Sequence, residues 1–173
     1  MKHKLSNYMN KKYLITVALF TMVFVARAQE NVVKVNPLAA VFGYLEVGYE
    51  RVLNENQSFQ IDLGYVSFSS GNLDYTGFGI GLQYRFYVKK AKNAPEGWFL
   101  APVANYSSSS ANEFKTTVFA AGGVAGYQWN WDPITLDIYG GPAFYSVESD
   151  DEAFNFGFDG LGARFGLSLG FAF

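Results

Sequence analysis

The sequence predicts an all-β fold, an eight-stranded antiparallel up-and-down transmembrane β-barrel, and three observations carry that expectation. The first is strict alternation: Phe78, Ile80, Leu82, Tyr84, Phe86 and Val88 interleave with Gly79, Gly81, Gln83, Arg85, Tyr87 and Lys89. Successive side chains of a strand point to opposite sides, so one face is greasy and the other small, polar and partly charged. The second is recurrence, because similar segments follow one another, broken by polar clusters, as expected of barrels. The third is volume. An eight-stranded barrel is just wide enough inside for side chains to fill. Four to six large residues on several strands would overfill it, whereas Gly64, Gly79, Gly81, Gly162, Gly166 and Gly170 suit a crowded lumen. The greasy face therefore belongs outside.

The first residues set the compartment. Lys2, Lys4, Lys11 and Lys12 precede an apolar run from Tyr13 to Val25, and Ala26-Arg27-Ala28 gives a cleavage pattern before Gln29. The run is shorter than the ~20 residues a membrane-spanning helix needs and fits a secretory signal. Residues 1–28 are expected to be a signal peptide and 29–173 a single barrel domain. Five of the 13 basic residues leave with the signal while all 15 acidic ones stay, giving a mature net charge of −7. That balance disfavours nucleic acid as a partner. The chain has no cysteine, which excludes both a lipid-modified cysteine and disulfide stapling.

Eight strands follow in order. Strand one, 32–38, reads Val-Val-Lys-Val-Asn-Pro-Leu and is the weak element, since Pro37 interrupts it. A single bent strand running into 44–52 is the alternative and would break the even count. Strand two, 43–53, carries Tyr-Leu-Glu-Val-Gly-Tyr-Glu-Arg; strand three, 58–68, sets Phe59, Ile61, Leu63 and Tyr65 against Gln60, Asp62 and Gly64. Strand four, 77–89, is the cleanest. Strands five and six, 97–108 and 116–131, lie between the connections Lys90–Glu96 and Trp131–Pro133. Strand seven, 134–148, opposes Ile134, Leu136, Ile138 and Phe144 to Thr135, Asp137, Tyr139 and Gly141. Strand eight, 159–173, alternates Leu161, Phe165, Leu169, Phe171 and Phe173 with Gly162, Arg164, Gly166 and Ser168.

The connections sort into two alternating classes. Asn54–Gln57, Lys90–Glu96 and Trp131–Pro133 are read as short turns, the last tightened by the fixed backbone angle of proline. Ser69–Thr76, Ser109–Lys115 and Ser149–Phe158 are read as longer, solvated loops, matching the short periplasmic turns and long external loops of outer-membrane barrels. Ser107–Ser110 reads as a strand end entering a loop, and no internal repeat stands out. Tyr49, Phe86, Trp98, Trp129 and Phe171 fall near one rim of the greasy face, and Tyr65, Phe78, Tyr106 and Phe144 near the other. Two such girdles suit two membrane–water interfaces.

The small face carries Lys34, Glu46, Glu50, Asp62, Arg85, Asp137 and Arg164. A charge facing lipid near the midplane costs roughly 2–4 kcal/mol, so these residues are expected to point inward and to pair. The favoured reading is a salt-bridge plug that closes the lumen; a polar pore is the alternative. Arg51, Lys89, Lys90 and Lys92 are explained by snorkelling into the interface or by contact with anionic headgroups of the inner leaflet. Glu148, Asp150, Asp151 and Glu152, with Asp159 nearby, read as a solvated acidic loop whose spacing fits no Ca²⁺ loop. Phe154, Phe156 and Phe158 suggest strands extending above the membrane, or a sticky surface for an external partner at 149–158.

No catalytic, cofactor-binding or metal-binding residue is expected. The one histidine, His3, lies in the signal, and there is neither cysteine nor a G-x-S-x-G elbow, so His-assisted acyl transfer and His/Cys metal sites lack their parts.

The strand that ends on Phe171 and Phe173 resembles the C-terminal assembly signal of Gram-negative outer-membrane barrels. Together with residues 32–38, 44–51 and 58–65, it makes nearly the whole mature chain resemble small outer-membrane β-barrel proteins of the Bacteroidetes type, with an OmpA/OmpX-like eight-stranded architecture. The resemblance implies an outer-membrane location, contact with membrane lipid and lipopolysaccharide, and insertion by the barrel-assembly machinery. It implies no activity. The expected role is non-enzymatic, structural or mediated by loops. A narrow channel for small hydrophilic solutes and a soluble lipocalin-like binder of a hydrophobic ligand are the alternatives.

Overall fold

A computed structural model describes residues 31–41, 43–71, 73–88, 94–112, 114–150 and 159–173. The segment 1–28, expected to be a signal peptide, the lysines at 89, 90 and 92, and residues 151–158 with their acidic and aromatic side chains lie outside them.

Eight antiparallel strands form a closed barrel with each strand bonded to its sequence neighbours. They are β1 (Asn31–Val35), β2 (Tyr44–Asn54), β3 (Gln57–Ser70), β4 (Leu73–Tyr87), β5 (Gly97–Ala111), β6 (Phe114–Trp131), β7 (Ile134–Ser149) and β8 (Gly160–Ala172). The ring closes where β1 pairs with β8. Both backbone bonds between Asn31 and Phe173 fasten that seam at its end, at 3.2 and 2.9 Å. The last residue is thus part of the wall.

Strand one is shorter than expected. It stops at Val35, and a one-and-a-half-turn helix α1 (Pro37–Val41) replaces its predicted continuation to Leu38. The reason lies in Asn36-Pro37. The Asn36 side chain accepts a hydrogen bond from the backbone N–H of Ala39 at 3.0 Å, an N-cap, and proline suits the first helical position. Strands one and two are therefore separate elements, and the even count stands.

Two of the expected long loops are corrected as well. The strands run through Ser69–Thr76 and Ser109–Lys115, with Ser67 opposite Thr76, Ser69 opposite Asp74 and Ser110 opposite Lys115. Ser107–Ser110 is strand throughout and forms the end of β5, as expected, but it runs into a tight turn after Ala111 and not a long loop, and Ser108 is buried. Cross-strand contact favours the longer ladder: Phe68 stacks on Tyr75 with ring centroids 5.1 Å apart. Positive backbone angles at Gly71 (φ 61°) and Asn112 (φ 53°) allow two-residue turns. Extra height at the end away from the termini is thus carried by strand. The predicted short turn at Lys90–Glu96 is instead part of a nine-residue connection between Tyr87 and Gly97.

Alternation partitions the side chains as the period of two requires. Each strand presents an exposed large apolar residue to the outside: Val33, Leu45, Leu63, Leu82, Leu100, Phe119, Ile138 and Phe165 in turn. Inside, Lys34, Glu50, Arg85 and Asp137 are almost wholly buried. The usual polarity of a soluble protein is inverted.

Candidate functional site

The lumen has two tiers. The lower one, toward the termini, is a closed charge network built by β1, β2, β4 and β7. Lys34 Nζ lies 2.6 Å from Glu50 Oε2 and also pairs with Asp137. Arg85 Nη1 lies 3.0 Å from Asp137 Oδ2 and 3.7 Å from Glu50 Oε2. Two cations face two anions, so the cluster is neutral.

Glutamines extend it. Gln128 Oε1 accepts from Lys34 Nζ at 2.9 Å and Arg85 Nη1 at 2.8 Å. Gln60 Oε1 accepts from Lys34 at 3.1 Å, and Gln83 Oε1 accepts from Arg85 Nε and Nη2 at 3.2 and 3.1 Å. Ser58 donates to Glu50 Oε1, and the Tyr87 hydroxyl sits 2.8 Å from the same oxygen. The Arg85 guanidinium lies 4.4 Å from the Phe99 ring centroid, within cation–π range. Buried charges persist when they are paired, and each of these four has an ion-pair partner of opposite sign; Asp137 Oδ1 and Gln128 Nε2 in the same tier have no hydrogen-bond partner. The arrangement sets four almost wholly buried charges and their amide partners across the lower lumen.

Asp62 joins the tiers. Its two oxygens accept from Gln60 Nε2 at 2.7 Å and Gln83 Nε2 at 3.2 Å. Above it lies a cavity of about 170 Å³, with Tyr44, Glu46, Asp62, Asn105, Tyr145 and Arg164 in its wall. Glu46 Oε1 accepts from Asn36 Nδ2 at 3.1 Å. Arg164 makes no ion pair among the described residues, and its buried Nε has no hydrogen-bond partner; nor does Asn105 Oδ1. Glycine shapes this tier, because a Cβ on Gly64 would fall on the Tyr44 ring. Gly166 similarly accepts the Tyr139 ring against its backbone.

All seven charges singled out in the sequence line the interior, but they do not form one cluster. Lys34, Glu50, Arg85 and Asp137 close the lower tier, while Glu46, Asp62 and Arg164 surround the cavity. Gln60, Gln83 and Gln128 complete the network and were not singled out as site residues. Their signal was parity, since Gln60 and Gln83 share a strand face with Asp62 and Arg85. Phe171 points outward, 53% exposed. No group of three or more His, Cys, Asp or Glu side chains among the described residues is arranged to hold a metal.

No curated protein and no solved structure matches the chain. Residues 14–151 match a family described as a protein of unknown function, DUF3575. That span takes in most of the sequence, from β1 through β7, and the chain belongs to the DUF3575 family.

Proposed function

We propose that the protein is an integral outer-membrane β-barrel with a non-enzymatic role, structural or mediated by its loops, and with a lumen closed by paired charges. The observation that carries this reading is the inverted polarity: Phe165 and Leu161 are 78% and 76% exposed while Lys34 and Arg85 are 2% and 0% exposed. Exposed large apolar side chains on every strand make a kind of surface that soluble monomers rarely present. Hydrocarbon is the solvent that suits it, and a closed barrel leaves no unpaired sheet edge in lipid. The outward aromatics support two interfacial belts. Tyr49, Phe86, Trp98 and Phe171 lie toward the terminal end, and Tyr65, Phe78, Tyr106 and Phe144 toward the other.

On this reading the protein contacts membrane lipid and lipopolysaccharide, and Phe171 and Phe173 serve the assembly machinery that inserts it. A soluble carrier of apolar ligands is disfavoured because the lumen is lined with charges and amides. A channel is disfavoured because the lower network occupies its cross-section. Fractionation tests the proposal. The protein should resist carbonate extraction, sediment with outer membranes, and migrate differently on SDS gels before and after boiling. Recovery in the carbonate-soluble fraction with no heat-dependent shift would overturn it.

A further inference from the structure

The upper cavity is more than leftover space. Its wall is completed by β2, which contributes Tyr44 and Glu46, and β8, which contributes Arg164. These strands flank the weakest part of the barrel. β1 and β8 share four residue pairs, Val32 to Val35 against Leu169 to Ala172, whereas β3 and β4 share fourteen. Beyond Val35 the wall between β2 and β8 is covered by α1, which packs against both. The most exposed apolar side chains, Val41, Phe165 and Leu161, cluster on α1 and this stretch of β8.

The cavity's polar groups are unevenly satisfied. Asp62 has a partner for each carboxylate oxygen. Arg164 has an unpartnered buried donor and no carboxylate in ion-pair range among the described residues; Asn105 has an unpartnered acceptor. Glu46 has one amide partner. Arginine's planar fork suits carboxylate or phosphate, while Glu46 and the Asn105 carbonyl suit an ammonium. At ~30 Å³ of liquid per water, the volume holds about half a dozen waters or a small solute of similar bulk.

We infer that this cavity binds a small zwitterionic group, its anionic end on Arg164 and its ammonium end on Glu46 and Asn105. The group reaches it either as a free solute or as the head of an amphiphile entering beside α1, between β2 and β8. Binding itself depends on the barrel and not on its surroundings. Failure of the membrane reading therefore leaves the site standing, and failure of the site leaves the membrane reading standing.

Titration calorimetry on the full chain in a maltoside detergent tests this, with heat-modifiable migration as the check on folding. The probes are O-phosphoethanolamine, inorganic phosphate alone, ethylammonium alone and lysophosphatidylethanolamine. Phosphoethanolamine should bind more tightly than either half, and Arg164→Gln should weaken it roughly tenfold or more, the worth of one charge-assisted bond. Glu46→Gln, which keeps the side-chain volume, should lower the zwitterion's affinity and leave that of phosphate unchanged. Tighter binding of the tailed probe, lost in Arg164→Gln, assigns the amphiphile route; equal binding of both assigns the free solute. No heat from either zwitterion, or binding indifferent to both variants, overturns the inference.

Discussion

At the scale of single residues, the lower lumen is an all-or-none arrangement. Removing one partner of a buried ion pair leaves its mate uncompensated, at a cost of about 3–5 kcal/mol. Lys34→Met and Arg85→Leu should each lose stability on that scale in denaturant unfolding of the folded barrel. The double variant Lys34→Met/Asp137→Leu should lose less than the sum of its singles, since it removes a cation and an anion together. Packing makes a second prediction. Gly64→Ala pushes a methyl into the Tyr44 ring and should cost about 1–3 kcal/mol, a penalty that a Tyr44→Ala background relieves. Strand parity made all seven interior charges legible in the sequence. It did not reveal their partners. Lys34 and Asp137 are 103 residues apart, and which side chains meet across a barrel is set by strand stagger, which no local pattern encodes. The glutamines were hidden for a related reason: a neutral amide becomes part of a charge network only once its neighbours are known.

Strands and connections show the same division. The alternation of β4, β7 and β8 is long enough to fix type and facing, so the greasy face of each could be read directly. Ends were harder. A Ser/Thr/Asn-rich stretch reads equally as loop or as the polar top of a hairpin, and the Phe68–Tyr75 pair decides for the hairpin. Strand one ends at Val35, short of the expected Leu38, because Asn36-Pro37 is the cap and first residue of a helix and not an interruption within a strand. The facing of β4 and β5 carries a prediction of its own. Leu82 stands outward near the middle of β4, and Trp98 outward near the terminal end of β5. With lipid against the wall, Leu82→Lys should cost roughly 2–4 kcal/mol and Trp98→Lys about 0–1 kcal/mol, the depth profile of a bilayer. Equal, small costs for both in equilibrium unfolding would mean water on that face.

The whole molecule is a barrel turned inside out, with a neutral charge plug below, a cavity above and an apolar surface all round. The plug predicts electrical silence: the intact protein in planar bilayers should give no defined conductance steps, and regular steps would mean that the network does not span the lumen. The apolar surface is the central claim, and the chain's three tryptophans report on it. Trp98 and Trp131 are exposed on the outer wall, and Trp129 lies between them, 6.4 Å from Trp131 and stacked on it. All three lie toward the terminal end, where the proposed membrane reading puts an interfacial belt. Reconstitution into vesicles whose acyl chains carry bromine at graded depths, followed by tryptophan fluorescence, reads the contact directly. Strong quenching, greatest for bromine near the headgroups and weaker toward the bilayer centre, is the predicted result. Fluorescence indifferent to brominated lipid but quenched by aqueous iodide would contradict it.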